Sequence, residues 1–470
     1  MKRACLLSPC SLIGFALLLA APAWSQSITS SPNVVGSGAR ALGMGGAFIA
    51  VADDATSASW NPGGLTQLER PEFSAVYNFN WHSEDFTSGS HPELSGAHEV
   101  QFDQVNYLSF VYPIPQTIGG RNLVVSINYQ RKFDFSRQLN LRFDRFQSAF
   151  NMPVALLNKI DYQQEGSLST LSPAIGFELS DRLSLGAVWN IWDSSIVPGN
   201  RWEQRISTTN LLSINAGTFG WSKMKVTDEY DDIRGSNFTL GGLWRLSERW
   251  SIGAVYNTKF AASLKNTTRT SMFPGLVFSE TTDLEYVFPA SFGIGAAYRF
   301  PNDKLTVSMD VTRREWDQFV INTGASSDIR KFPFAPQQSG ITKLAKSLSP
   351  HDPTYTVRLG GEYVFVDASK PKQDYLPSLR AGLFYDPEPA SGKKDRWYGL
   401  ENKGNGKVDN YYGFALGAGV LIKNRVNLDA AYTYRFGEDV RKDTFGQYGL
   451  TKTDANVGQH TFYVSTVVYF

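Results

Sequence analysis

Almost no sulfur chemistry is open to this chain. Only two cysteines occur among 470 residues, and Cys5 and Cys10 both fall in a leader-like N-terminus. Lys2 and Arg3 are followed by an apolar run from Leu12 to Ala21 and then by "APAWSQ", whose small residues suit cleavage after Ala23 or Ser25. Residues 1–25 therefore read as a signal peptide, and Pro9 ahead of Cys10 breaks the lipoprotein pattern. The expected mature protein is exported, with no thiol, no disulfide and no cysteine metal site. Long apolar runs are also missing: beyond the leader none approaches the roughly 20 residues that a membrane helix needs. Charge of one sign is not in excess, with 45 Lys+Arg against 44 Asp+Glu, which argues against a nucleic-acid partner. No phosphate loop or energy-coupling segment is present, so no cofactor and no energy source are expected.

What is plentiful is aromatic residues and glycine: 31 Phe, 21 Tyr, 11 Trp and 41 Gly. The missing apolar runs exclude a helical membrane protein but not a β-barrel, whose strands alternate between lipid and lumen and whose mean hydropathy stays modest, here −0.25. Alternating segments recur to the C-terminus. Many are paired through short polar turns, "LSDR" (Leu179 to Arg182), "LSER" (Leu246 to Arg249), "PNDK" (Pro301 to Lys304) and "KNR" (Lys423 to Arg425). Long polar stretches separate the pairs, and short turns inside with long connections outside are the habit of outer-membrane barrels. Strands are expected at 72–81, 103–112, 122–135, 168–179, 183–195, 236–246, 249–261, 283–300, 304–319, 354–366, 377–388, 410–422, 425–438 and 457–470. The fold class is thus all-β, a transmembrane antiparallel barrel of about fourteen strands.

Side-chain parity supports that reading. In "NLDAAYTYRF" it sends Leu428, Ala430, Tyr432, Tyr434 and Phe436 to lipid and Asn427, Asp429, Thr433 and Arg435 inward. In "LTVSMDVTR" Leu305, Val307, Met309 and Val311 face out. The C-terminal strand puts Phe462, Val464, Val468 and Phe470 on one face and ends on an aromatic residue, similar to the recognition signal for outer-membrane barrel assembly.

Ahead of the first strand lies "GARALGMGGAFIAVADDATSASWNPGGL", Gly38 to Leu65. Its glycines are not a dinucleotide turn: Gly36, Gly38 and Gly43 have the wrong spacing and no strand precedes them. The stretch instead resembles the N-terminal motif of the FadL/TodX family, outer-membrane transporters of long-chain fatty acids and other hydrophobic compounds. The elements that match are "GMGGAFIA", "ADDA" at Ala52 to Ala55 and "NPGGL" at Asn61 to Leu65, with Gly63 standing where the family's usual Asn-Pro-Ala has alanine. The resemblance implies fourteen strands (residues 71–470) preceded by a hatch (residues 26–70) that plugs the lumen. It also implies passive transport in the bacterial outer membrane, ending at a lateral opening made by a strand kink near the hatch. A similar motif occurs in PorV-like secretion-system barrels, so a partner-binding scaffold is the alternative. On this reading Gly45, Gly46, Asp53, Asp54, Asn61, Pro62 and Gly63 are candidate gating residues, in a hatch that either moves or serves folding only.

Candidate capture surfaces lie in the long connections. Arg142 to Ile160 spaces Phe143, Phe146, Phe150, Val154 and Leu157 as a helix would, and Thr208 to Trp221, with Leu211 and Leu212, is unusually apolar. Each is either a landing site or a cover for the barrel mouth. Lys343 and Lys346 either attract a carboxylate or meet lipopolysaccharide phosphate and solvent. His82, His91 and His98, with Glu84, Asp85, Glu93 and Glu99, match no metal site and read as a solvated loop. "TDEYDDIRG" (Thr227 to Gly235) likewise reads as a solvated charge cluster. His460 and Ser465 point to opposite faces of one strand, which argues against a barrel lipase. The protein is expected to be no enzyme, to hold no metal and to work as a monomer with hydrophobic small molecules, outer-membrane lipid and lipopolysaccharide as partners.

Overall fold

Alternation of apolar and polar residues drives the main chain into strands whose two faces meet different solvents. The structure, a computed structural model, describes residues 33–470 except 35, 90, 116–118, 150–151, 198, 215–216, 273–274, 327–348, 350, 368, 370–372, 390–394, 398–399, 403–407 and 442–451. Fourteen strands form the barrel. They are β1 (Glu72–Ser88), β2 (Gly96–Pro113), β3 (Leu123–Asp134), β4 (Met152–Ser180), β5 (Leu183–Ile191), β6 (Ser236–Arg245) and β7 (Trp250–Asn257). Then follow β8 (Ser291–Arg299), β9 (Leu305–Arg314), β10 (Thr354–Val364), β11 (Tyr375–Tyr385), β12 (Tyr412–Ile422), β13 (Val426–Val440) and β14 (Thr453–Tyr469). Each pairs antiparallel with the next, and β1 pairs with β14 from Glu72↔Tyr469 to Ser88↔Thr453, which closes the barrel.

Parity places the expected residues on the expected faces. On β13 Leu428 is 44% exposed and its neighbour Asp429 4%. On β9 Met309 and Val311 face out while Ser308 and Asp310 are buried. A one-residue slip would carry Asp310 and Asp429 to lipid, at about 2–4 kcal/mol per charge near the bilayer midplane, so register is firmly set. Outward aromatics gather in two girdles, Phe73, Tyr112, Trp244, Trp250 and Tyr375 near the short turns and Trp81, Trp189, Phe238, Phe292 and Tyr355 near the far end.

Beyond the far girdle the wall continues as an outer tier. Arg137–Ala149 pairs with the first half of β4, and Arg201–Ile214, Gly217–Arg234, Phe260–Met272, Leu276–Phe288 and Val320–Ser326 extend it round one side. This corrects the expectation of irregular outer loops, and of a helix at Arg142 to Ile160: the segment is a strand hairpin, with Phe143 paired to Asn158 and Phe146 to Ala155. The expected strand 283–300 is divided, ending at Phe288 and resuming at Ser291 after Pro289, which cannot donate to a ladder. Five neighbouring staves, β5 to β9, are interrupted at this same level.

Candidate functional site

The small residues of the N-terminal segment let it lie inside the barrel. Its secondary structure is slight, two short helical turns (Ala39–Gly43 and Ser57–Trp60) and a 3-10 helix (Pro62–Gln67). It is held by contact with inward glycines of the wall. A Cβ on Gly382 would stand 2.4 Å from the Gly45 nitrogen, and one on Gly186 would stand 2.2 Å from the Pro62 carbonyl. Gly45 and Gly46 have φ of 65° and 76°, backbone that favours glycine. A Cβ at Gly63 would come within 2.9 Å of the Leu243 nitrogen, so the alanine usual in the family motif has no room here without a shift.

Polar contacts fix the segment further. Asn61 donates through Nδ2 to the carbonyls of Ile49 (2.8 Å) and of Gly242 in β6 (2.9 Å), while its Oδ1 accepts from Gly63 N (3.1 Å), capping the 3-10 helix that begins at Pro62. Asp310 on β9 accepts from the amides of Phe48 (2.6 Å) and Ile49 (2.9 Å). Asp54 accepts from Thr56 N and Oγ1 at 2.8 and 2.6 Å. Asp53 takes Arg40 at 2.5 Å. The Arg40 guanidinium also forks onto Glu362 of β10 at 2.9 and 2.7 Å, and Glu362 is shared with Arg380 of β11 (2.7 Å), which reaches Asp429 of β13 (2.7 Å). One chain of ion pairs therefore ties the segment to three staves.

Above the segment is a lumenal cavity of about 320 Å³. Gly45, Gly46, Ile49 and Trp60 line its floor, and Phe133, Trp192, Phe260, Phe288 and Trp316 bring aromatic surface to it. Four of these rings lie nearly parallel: Trp192 and Phe288 are inclined by 8°, Phe260 and Phe288 by 11° with centroids 4.9 Å apart, and Phe133 and Trp192 by 18°. Trp192 is held by its Nε1–H bond to Asn237 Oδ1 at 2.9 Å. The same apolar cluster runs on into the outer tier, where Trp202 stacks between Tyr230 (4.5 Å) and Phe135 (4.8 Å). Offset stacking of this kind adds about 0.5–1.5 kcal/mol per pair beyond burial.

The wall beside the cavity has a gap. β2 and β3 pair only from Pro113↔Val124 to Tyr107↔Gln130, and beyond that β2 pairs with β1 alone. A register shift between Arg131 and Phe133 bends β3 away at the same place. Above, only side chains bridge the two strands at first, Arg131 of β3 donating to the Gln104 amide oxygen of β2, and farther out Asn140 N donates to His98 Nδ1 at 3.3 Å. Asn33–Val34 lies across this window, paired with Asp134 and Phe133 of β3, and Asn106 of β2 donates to the Gly36 carbonyl at 2.7 Å.

Residues 17–466 match the family described as outer membrane protein transport protein (OMPP1/FadL/TodX). The chain belongs to that family. Solved structures similar to it include a Pseudomonas aeruginosa FadL homologue, with TM-score 0.59 and 17% identity over 94% of this chain and 100% of that one. The P. putida toluene transporter TodX gives TM-score 0.51 and 14% identity over 93% and 99% of the two chains. A deltaS2 mutant of the TodX monoaromatic hydrocarbon channel gives 0.54 and 15% over 93% and 100%. At these identities the likeness is one of fold. No match was found among curated proteins. FadL/TodX proteins are outer-membrane transport barrels, and the fold and the resemblance of Gly38 to Leu65 agree with the family.

The structure brings Gly45, Gly46, Asp53, Asp54, Asn61, Pro62 and Gly63 together in the lumen. It does not bring the proposed capture residues to them: Phe146 and Leu211 with Leu212 lie on outer-tier strands, and Phe150, Lys343 and Lys346 lie outside the described residues. The solvated-loop reading of the first connection is corrected at His82 and Glu84. Both are buried on the inner face of β1, where Glu84 accepts from Arg137 (2.5 and 3.0 Å) and Arg441 (2.8 Å). Burial pushes the Glu84 carboxyl up, but the two guanidinium groups hold it well below the usual carboxylate range. Thr227 to Arg234 is likewise strand, with Asp228 and Tyr230 buried. Sequence reasoning missed Asp310, Arg380, Lys132 and the aromatic slab; the parity of β9 did send Asp310 inward, which was the one signal available.

Proposed function

We propose that this protein carries hydrophobic small molecules passively across the outer membrane, as the fatty-acid and toluene transporters of its family are named for doing. Residues 26–70 act as the hatch, residues 71–470 as the barrel, and cargo leaves sideways through the wall. The carrying observation is the aromatic-lined cavity that borders the β2–β3 window, covered by Asn33–Val34. Cargo taken up along the outer-tier aromatic column reaches the cavity and displaces the N-terminal strand, exposing an exit near the outer edge of the apolar band, where Val105 faces lipid. Among the described residues two backbone register pairs hold that strand to β3, a cost that cargo binding can offset, since each exposed backbone bond is worth about 0.5–1.5 kcal/mol.

A reversible lock tests this. Asn33 and Asp134 are register partners, and cross-strand neighbours about 4.5–5.5 Å apart suit a disulfide. The double variant Asn33→Cys/Asp134→Cys, in a chain whose native cysteines both precede residue 26, is expected to lose at least nine-tenths of labelled toluene and oleate uptake when oxidised and to regain it on reduction. Equal uptake in both redox states would rule out this exit. Absence of uptake by the unmodified, assembled barrel would rule out transport and favour the partner-binding alternative.

A further inference from the structure

The lumenal cavity holds charge that a neutral cargo has no use for. Other guanidinium groups inside this barrel are paired: Arg40 and Arg380 with Glu362, Arg137 and Arg441 with Glu84, and Arg435, in the same cavity, with Glu388. Lys132 on β3 and Arg314 at the end of β9 both line the cavity, and neither has a carboxylate or hydrogen-bond acceptor in contact among the described residues. Arg314 has the Trp316 ring, 5.8 Å from its guanidinium carbon, and feels the Asp386 carboxylate only from beyond ion-pair contact. The carboxylates of the cavity are engaged elsewhere, Asp310 with the amides of Phe48 and Ile49, and Asp386 with Arg358 at 3.6 Å and Arg435 at 3.5 Å. Unpaired cations are costly to desolvate, and their ordinary explanation in a binding cavity is an anionic group that arrives with the ligand.

The apolar part of the cavity has a shape of its own. Phe133, Trp192, Phe260 and Phe288 offer near-parallel faces, and the one polar atom among them, Trp192 Nε1, is already bonded to Asn237. A volume of about 320 Å³ is at the small end of the roughly 300–1,000 Å³ usual for ligand pockets, which suits one or two fused rings better than a long acyl chain.

Resting on the transport reading above, we propose that the cavity takes small aromatic anions. The flat ring system lies against the Phe133–Trp192–Phe260–Phe288 slab and the carboxylate is taken by Lys132 and by the planar fork of Arg314. Slab and cations act together: a neutral aromatic uses only the first, an aliphatic acid mainly the second.

The test is calorimetric titration of the purified full-length protein in non-ionic detergent with 2-naphthoate and with naphthalene. The unmodified protein is expected to prefer naphthoate at least tenfold. Lys132→Met and Arg314→Met are each expected to cut that preference about tenfold, Lys132→Arg to retain most of it, and the double Met variant to abolish it, with heat-modifiable mobility showing that each variant is an assembled barrel. No preference in the unmodified protein, or an intact preference in the double variant, overturns the assignment. Cellular uptake separates the two readings: toluene or oleate uptake without a naphthoate preference leaves transport standing and removes the anion site. A naphthoate preference without uptake of any of the three leaves the anion site standing and removes transport.

Discussion

Burial decides the protonation of Asp228. It sits inside the outer tier, one carboxylate oxygen accepting the Thr268 hydroxyl at 2.6 Å and the other without a partner among the described residues. Desolvation pushes its carboxyl up to about 6. An acid whose pKa is raised by folding contributes nothing while both states are protonated, below about pH 4. It becomes a penalty as pH rises from there, and the penalty is complete above about pH 6. Asp228→Asn keeps an acceptor for Thr268 and removes the charge. The variant is therefore expected to stabilise the outer tier by on the order of 2 kcal/mol at pH 8 and not at all near pH 3.5, read as resistance of the outer tier to proteolysis in urea. A gain of equal size at both pH values would show that packing, not ionisation, is responsible. Nothing in the sequence announced this residue: the run "TDEYDDIRG" has the composition of a solvated loop, and only the pairing of its strand with Phe260–Met272 turns Asp228 inward.

The barrel strands were legible because two unlike solvents force a period of two, and because polar turns as short as "LSDR" leave few ways to join them. All fourteen expected strand positions coincide with staves, and the differences lie at the outer ends. Past the far girdle the outward face meets water and not lipid, so alternation in the outer tier is only partial, as at Leu139 and Leu141; Phe143, Phe146 and Phe150 imitate helical spacing by accident of composition. The window was illegible for a different reason. It arises from where β2 stops pairing with β3, a relation between strands that neither strand's own pattern records. The N-terminal segment was readable as a motif but not as an anchored element, since its partner Glu362 is 322 positions from Arg40. Removing one member of a buried ion-pair chain costs about 3–5 kcal/mol because the others are left uncompensated. Glu362→Gln strips the charge shared by Arg40 and Arg380, so the segment is expected to loosen and trypsin to cut after Arg40 at least tenfold faster than in the unmodified barrel. Unchanged cleavage would mean that the glycine contacts alone hold the segment.

At the scale of the whole molecule the first and last staves of the barrel meet at one rim. Pro71 leads into β1 and Phe470 follows β14, and the Phe470 amide donates to the Pro71 carbonyl at 3.0 Å, the last bond of the closing seam. The Phe470 ring itself is 68% exposed. Its deletion therefore removes one backbone hydrogen bond, about 0.5–1.5 kcal/mol, from a seam that runs without a register shift to Ser88↔Thr453. Such a loss is too small to unfold the barrel. If the terminal aromatic is the mark by which the chain is assembled, deleting it lowers the amount of heat-modifiable barrel in the outer membrane several-fold while the molecules that do assemble unfold in urea within about 1 kcal/mol of the unmodified protein. A yield that falls only in step with lost stability would assign Phe470 to the seam, and an unchanged yield would leave the residue with no part in assembly.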